Sequence, residues 1–103
     1  MQVRIGIRLR SQVDSTEVIL TRVGATEVDL RCGGHELISI SEVAAEIREA
    51  TAEPAQQSPL IGKRYSDEPS GLELLCVKSG QHRLTADGRP MPQNAPRPLP
   101  ASD

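Results

Sequence analysis

Residues 5–24, IGIRLRSQVDSTEVILTRVG, recur in outline at residues 61–80, IGKRYSDEPSGLELLCVKSG, and this recurrence decides the fold. Ile5-Gly6-x-Arg8 lines up with Ile61-Gly62-x-Arg64, Glu17 with Glu73, Arg22 with Lys78 and Gly24 with Gly80, at a constant offset of 56 residues. Five of the twenty aligned positions are identical, where ordinary composition gives about one or two. Shortening the next turn by two residues carries the match on to Leu30 with Leu84 and Gly34 with Gly88. We therefore read the chain as two tandem β-hairpin modules packed about a pseudo-two-fold axis.

Within the first module, Val3, Ile5, Ile7 and Leu9 alternate with polar residues or glycine, the pattern of a half-buried strand over residues 2–10. Thr16–Val23, centred on Val18-Ile19-Leu20, reads as a second strand, and Val28, Leu30 and Cys32 as alternate positions of a third. Gly33-Gly34 ends that strand, and Leu37, Ile38 and Ile40 supply a short further one. The expected organisation is a first module over 1–40, a linker over 41–60 and a second module over 61–91. A Pro-rich extended tail follows over 92–103. Ser41–Thr51, with a capping serine and Val43 and Ile47 on one face, allows a short helix in the linker. The whole is mainly β. A single small barrel or sandwich is the alternative architecture.

Composition narrows the function classes. Among 103 residues the only aromatic is Tyr65, and the formal net charge is −2. Stacking platforms for nucleic-acid bases are missing and there is no global attraction to phosphate, so a nucleic-acid partner is not expected. No apolar run approaches the length of a membrane span, so neither is a membrane. With Val, Ile and Leu carrying the core, the chain would gain from a second copy or a protein partner. The N-terminal residues form no signal-peptide stretch, and two cysteines fit a reduced thiol environment. A cytoplasmic location is the expectation.

The segments Arg31-Cys32-Gly33-Gly34-His35-Glu36-Leu37 and, more loosely, Asp87-Gly88-Arg89-Pro90-Met91 each follow a strand–turn–strand pattern. That pattern resembles the desulforedoxin-like ribbon of the rubredoxin-related metal proteins. The chain is also similar to short actinobacterial proteins of comparable length. The ribbon resemblance implies a small β-hairpin module whose thiolates hold iron or zinc. Residues 13–17 and 68–71, where the first knuckle would stand, contain no cysteine, and Ala86-Asp87 replaces the paired thiolates. Since such a site needs four thiolates and only Cys32 matches a ligand position, the resemblance implies a retained fold with the metal site lost.

Four residues still make a ligand set by type. Cys32-x-x-His35 with Cys76 and His82 offers two sulfurs and two nitrogens, the donor count of a structural zinc site. Both cysteines fall in apolar strand register, where cysteine acts as a small buried hydrophobe, and both histidines fall at turns facing solvent. We expect no cofactor and no metal. Glu17 and Glu73 are the least arbitrary carboxylate pair, because the repeat would let them face one another across the axis. Arg4, Arg8 and Arg10 would share one face of the first strand and could contact an anion or a partner. The expected function is that of a non-enzymatic accessory or protein-interaction β protein. It rests on the weak core, strand edges open for docking and the extended tail. A metal-binding or electron-transfer ribbon is the second reading, and a small cofactor-free enzyme the third.

Overall fold

The structure is a computed structural model, and it describes residues 2–41 and 59–94. The expected linker helix beyond Ser41 and the Pro-rich tail beyond Asn94 lie outside the described residues. Within them the chain is mainly β, in two antiparallel sheets, with no helix. Its strands are β1 (Arg8–Arg10), β2 (Glu17–Arg22), β3 (Leu30–Cys32), β4 (His35–Glu36), β5 (Ile38–Ser39), β6 (Arg64–Asp67), β7 (Leu72–Lys78), β8 (Leu84–Ala86) and β9 (Arg89–Pro90). One sheet runs β5-β1-β2-β7-β6 and the other β4-β3-β8-β9.

The longest ladder joins the two parts of the chain. β2 and β7 pair antiparallel with Val18 opposite Cys76, Ile19 opposite Leu75 and Leu20 opposite Leu74. Period-two alternation sends Val18, Leu20, Leu72, Leu74 and Cys76 inward, where all are buried. They meet Leu30, Cys32, Leu84 and Ala86 from the smaller sheet in one cluster, with Val3, Leu9, Val28, Leu37, Tyr65 and Met91 around them. The smaller sheet is also built across the two parts, with Leu30 opposite Ala86, Arg31 opposite Thr85 and Cys32 opposite Leu84.

Both flanks of the larger sheet are closed by chain that passes from one sheet to the other. Residues 35–37 pair with β3, and residues 38–40 then pair with β1, where Ile40 N–H donates to Arg8 O at 3.1 Å. Residues 89–91 pair with β8, and residues 92–94 with β6, where Asn94 N–H donates to Arg64 O at 2.8 Å. The outer edges of β1 and β6 are therefore occupied by the chain itself, while β5 ends the larger sheet and β4 and β9 end the smaller. The unpaired backbone groups of β1 and β6 find partners in residues 38–40 and 92–94, and these come from the small sheet.

The expected strand over residues 2–10 is shorter in fact. Gly6 has φ 89° and Ile7 N–H donates back to Arg4 O at 3.3 Å, so the chain turns before β1. Only glycine adopts that φ cheaply. The turn removes Ile5 from the inward face and leaves it 67% exposed. Gly62 turns the second part in the same way, with φ 81° and Lys63 N–H donating to Leu60 O at 3.1 Å. Beyond each turn the bonding also corresponds. Gly6 N–H donates to Leu20 O and Gly62 N–H to Cys76 O, both at 2.8 Å.

Because Leu20 and Leu74 face one another in the shared core, Leu20→Ala and Leu74→Ala should each cost about 2–5 kcal/mol. In urea titrations followed by circular dichroism, each variant should unfold in a single transition at a lowered midpoint. A second, independent transition would show that the two parts hold separate cores.

Candidate functional site

The residues singled out for metal or thiol chemistry do not converge as four ligands. Cys32 on β3 is fully buried, and His35 sits opposite it across the Gly33-Gly34 turn. The Cys32 thiol lies 3.7 Å from the carbonyl of His82, not from its ring. Cys76 on β7 is also buried, and its Sγ donates to Lys78 O at 3.1 Å. Burial pushes the Cys32 thiol up to about 11, with the Asp14 charge adding to it. Burial likewise raises the Cys76 thiol. Among the described residues no group of three or more His, Cys, Asp or Glu is placed to hold a metal ion.

His82, expected at a solvent-facing turn, is instead drawn in by Asp14, a residue the sequence reading passed over. Asp14 Oδ1 accepts from Thr16 N–H at 3.0 Å, while Oδ2 accepts from Gln81 N–H at 2.9 Å and His82 N–H at 3.1 Å. His82 Nδ1 also lies 3.1 Å from Oδ2, and the two side chains are only 11% and 10% exposed. Burial alone would raise the Asp14 pKa. The bonds from Thr16 and Gln81 outweigh it and, with His82, hold the carboxyl far below its ordinary 3.8. Gly80 permits this approach, since a Cβ there would overlap the Thr16 hydroxyl and the Asp14 carboxylate. The Asp-Ser-Thr turn was legible as a local Asx motif; its capture of backbone 67 and 68 residues downstream was not.

A cleft of about 980 Å³ opens beside β6, β7 and β9, lined among others by Arg22, Asp67, Glu73, Arg89 and Asn94. Asp67 is buried and accepts a forked pair of bonds from Arg89, 3.0 Å from Nε and 2.8 Å from Nη2. Those bonds, then Ser70, keep its carboxyl below the usual range against the effect of burial. Glu73 is held down in turn, first by Thr21 Oγ1 at 2.7 Å and then, against burial, by Asn94 Nδ2 at 3.1 Å. Ser66 Oγ donates to Asn94 Oδ1. Asp67, Arg89, Glu73, Asn94 and Ser66 in its walls are thus tied by side-chain hydrogen bonds, next to Pro69, Leu72, Pro90 and Pro92.

Glu17 and Glu73 do not face one another. Glu17 lies opposite Lys78 and pairs with its Nζ at 3.0 Å, while Glu73 lies opposite Arg22 at the far end of the same ladder. Antiparallel pairing of β2 with β7 sends the two carboxylates to opposite ends of the ladder. Nor do Arg4, Arg8 and Arg10 share one strand. Arg4 precedes the Gly6 turn, whereas Arg8 and Arg10 project from β1 on the outer face of the larger sheet.

The chain matches no family model, no curated protein and no solved structure. Among the described residues no helix is long and apolar enough to cross a membrane. Thiols kept protonated by burial are poor nucleophiles. Carboxylates kept ionised by fixed donors take up protons weakly near neutral pH.

The depressed carboxyls give stability a direction with pH. Each folded value lies below its unfolded one, so the contribution of Asp14, Asp67 and Glu73 is complete well above pH 4. It is lost as pH falls below that. Urea midpoints should hold between pH 7 and 5 and drop toward pH 3, and Asp14→Ala should flatten that drop. The same variant should cost about 1–3 kcal/mol at pH 7 by leaving the part-buried N–H groups of Thr16 and His82 without their acceptor. Cys32 and Cys76 should resist a thiol reagent in the native protein and react on unfolding. Fast native labelling of either would contradict the burial argument.

Proposed function

We propose that this chain is a non-enzymatic accessory module that works by binding another protein chain, and that it is built from two copies of one β unit. The duplication is supported by the hydrogen bonds that recur 56 residues apart, from Gly6 to Leu20 and from Gly62 to Cys76. It is supported again by the crossing segments, where Leu9 pairs with Ser39 and Tyr65 with Gln93. Two free cysteines fit a reducing compartment, and we place the module in the cytoplasm on that ground.

One observation carries the binding reading. A chain short of large apolar residues leaves Ile5 67%, Ile61 65% and Leu60 52% exposed, all at the glycine turns before β1 and β6. Single exposed aliphatic residues are ordinary on protein surfaces. Their occurrence at the same turn in both parts of the chain, held out by a glycine of positive φ, points to contact with a partner. Catalysis is disfavoured by the buried thiols and the fixed carboxylates, which are set for structure.

Ile5→Glu with Ile61→Glu should leave the urea midpoint unchanged, because both side chains already lie outside the core. A chain captured by the wild-type protein and then purified should bind the double variant at least about tenfold more weakly, the loss of roughly 1.4 kcal/mol. Equal affinity for both forms would remove the basis of the proposal.

A further inference from the structure

The outer face of the larger sheet carries charge against the sign of the whole protein. Arg8 lies opposite Ile19, Ile19 opposite Leu75 and Leu75 opposite Arg64, so the four form one row across β1, β2, β7 and β6. Ile40, 38% exposed, continues the row beyond Arg8 through its backbone bond to that residue. Directly opposite residues share a face, and the alternate positions Leu9, Val18, Leu74 and Tyr65 point into the core. Ile19 and Leu75 are therefore half-buried aliphatic side chains on an outward surface, flanked by a guanidinium at each end.

The neighbouring row adds Arg10 and Lys78 around Glu17. Both carboxylates of the face are engaged, Glu17 with Lys78 at 3.0 Å and Glu73 with the Thr21 hydroxyl and the Asn94 amide. Arg64 reaches Glu73 only at 3.9 Å, and neither Arg8 nor Arg10 has an ion pair among the described residues. Four cations thus share the face with two occupied carboxylates, on a chain whose formal net charge is −2. An aliphatic stripe bracketed by two exposed guanidiniums, Arg8 with no ion pair among the described residues and Arg64 in only a long contact with Glu73, complements a segment that is apolar along one side and carboxylate-bearing on its flanks. A second copy is a poorer match, since it would bring its own arginines to the same place.

We infer that this face, Arg8–Ile19–Leu75–Arg64 with Ile40 and Arg10, docks an acidic amphipathic segment of a partner protein. The inference rests on the interaction-module reading and names the partner chemistry and the surface. It is tested on the full chain, isotope-labelled for amide NMR, with three synthetic probes of about four helical turns. One carries leucines at helical spacing flanked by glutamates, the second has lysine in place of every glutamate, and the third is poly-glutamate. The acidic amphipathic peptide should shift amides of β1, β2, β7 and β6 in a saturable, salt-sensitive way. Arg8→Glu with Arg64→Glu, both exposed, should weaken that binding at least about tenfold while leaving the urea midpoint in place. The lysine peptide should not bind.

Poly-glutamate binding as tightly as the amphipathic probe would overturn the inference by reducing the face to a plain anion surface. Self-association of the free chain, abolished by the arginine variants, would overturn it in favour of a second copy. Absence of binding by the acidic amphipathic peptide would also overturn it. The dependence of partner capture on Ile5 and Ile61 would then stand or fall separately.

Discussion

The antiparallel ladder between Glu17–Arg22 and Leu72–Lys78 is the interaction on which the rest of this structure depends. It joins segments from opposite ends of the chain and places Ile19 opposite Leu75 at its centre. On its inner side it aligns Val18, Leu20, Leu74 and Cys76 into the floor of the core. Each such side chain contributes roughly 1.5–3 kcal/mol when fully buried, a large share of the 5–15 kcal/mol typical of a whole domain. With a single aromatic side chain in the molecule, no other contact can replace that burial. The same ladder sets the outer face, since a strand that sends Leu20 inward must send Ile19 outward.

Polar anchoring follows the same plan of joining distant segments. Asp14 fixes the loop before β2 to residues 81 and 82, and Asp67 fixes the end of β6 to Arg89 beyond β8. These carboxylates satisfy backbone and guanidinium donors at places where strands change direction, and burial without such partners would be costly. The thiols fill core positions in the same sense. Outside this framework lie the exposed isoleucines at the glycine turns and the outer face of the larger sheet with Arg8, Arg10 and Arg64.

Much of this was legible in the sequence, and the failures have physical causes. The β2 and β7 strands, the mainly β class and the burial of Cys32 and Cys76 follow from alternation and β-branched content. The strand over residues 2–10 was misread because Gly6 fits the alternation as well as it fits a turn, and periodicity does not report φ. The closed flanks were missed because residues 35–40 and 89–94 each serve two sheets, which a search for one strand per segment does not find. Arg8 and Arg10 were placed on one face correctly, while Arg4 fell with the misread strand. Asp14 was invisible as an anchor, since nothing local marks a carboxylate that will meet backbone 67 residues away.

Native-state hydrogen exchange at the amides of the central ladder tests most directly whether one core is shared. Val18 and Leu20 from one part, and Leu74 and Cys76 from the other, should exchange only through global unfolding. Their opening free energies should then coincide with one another and with the value from urea denaturation. A lower opening free energy confined to either pair would mean that one part opens while the other stays folded, and that result would contradict a core held in common.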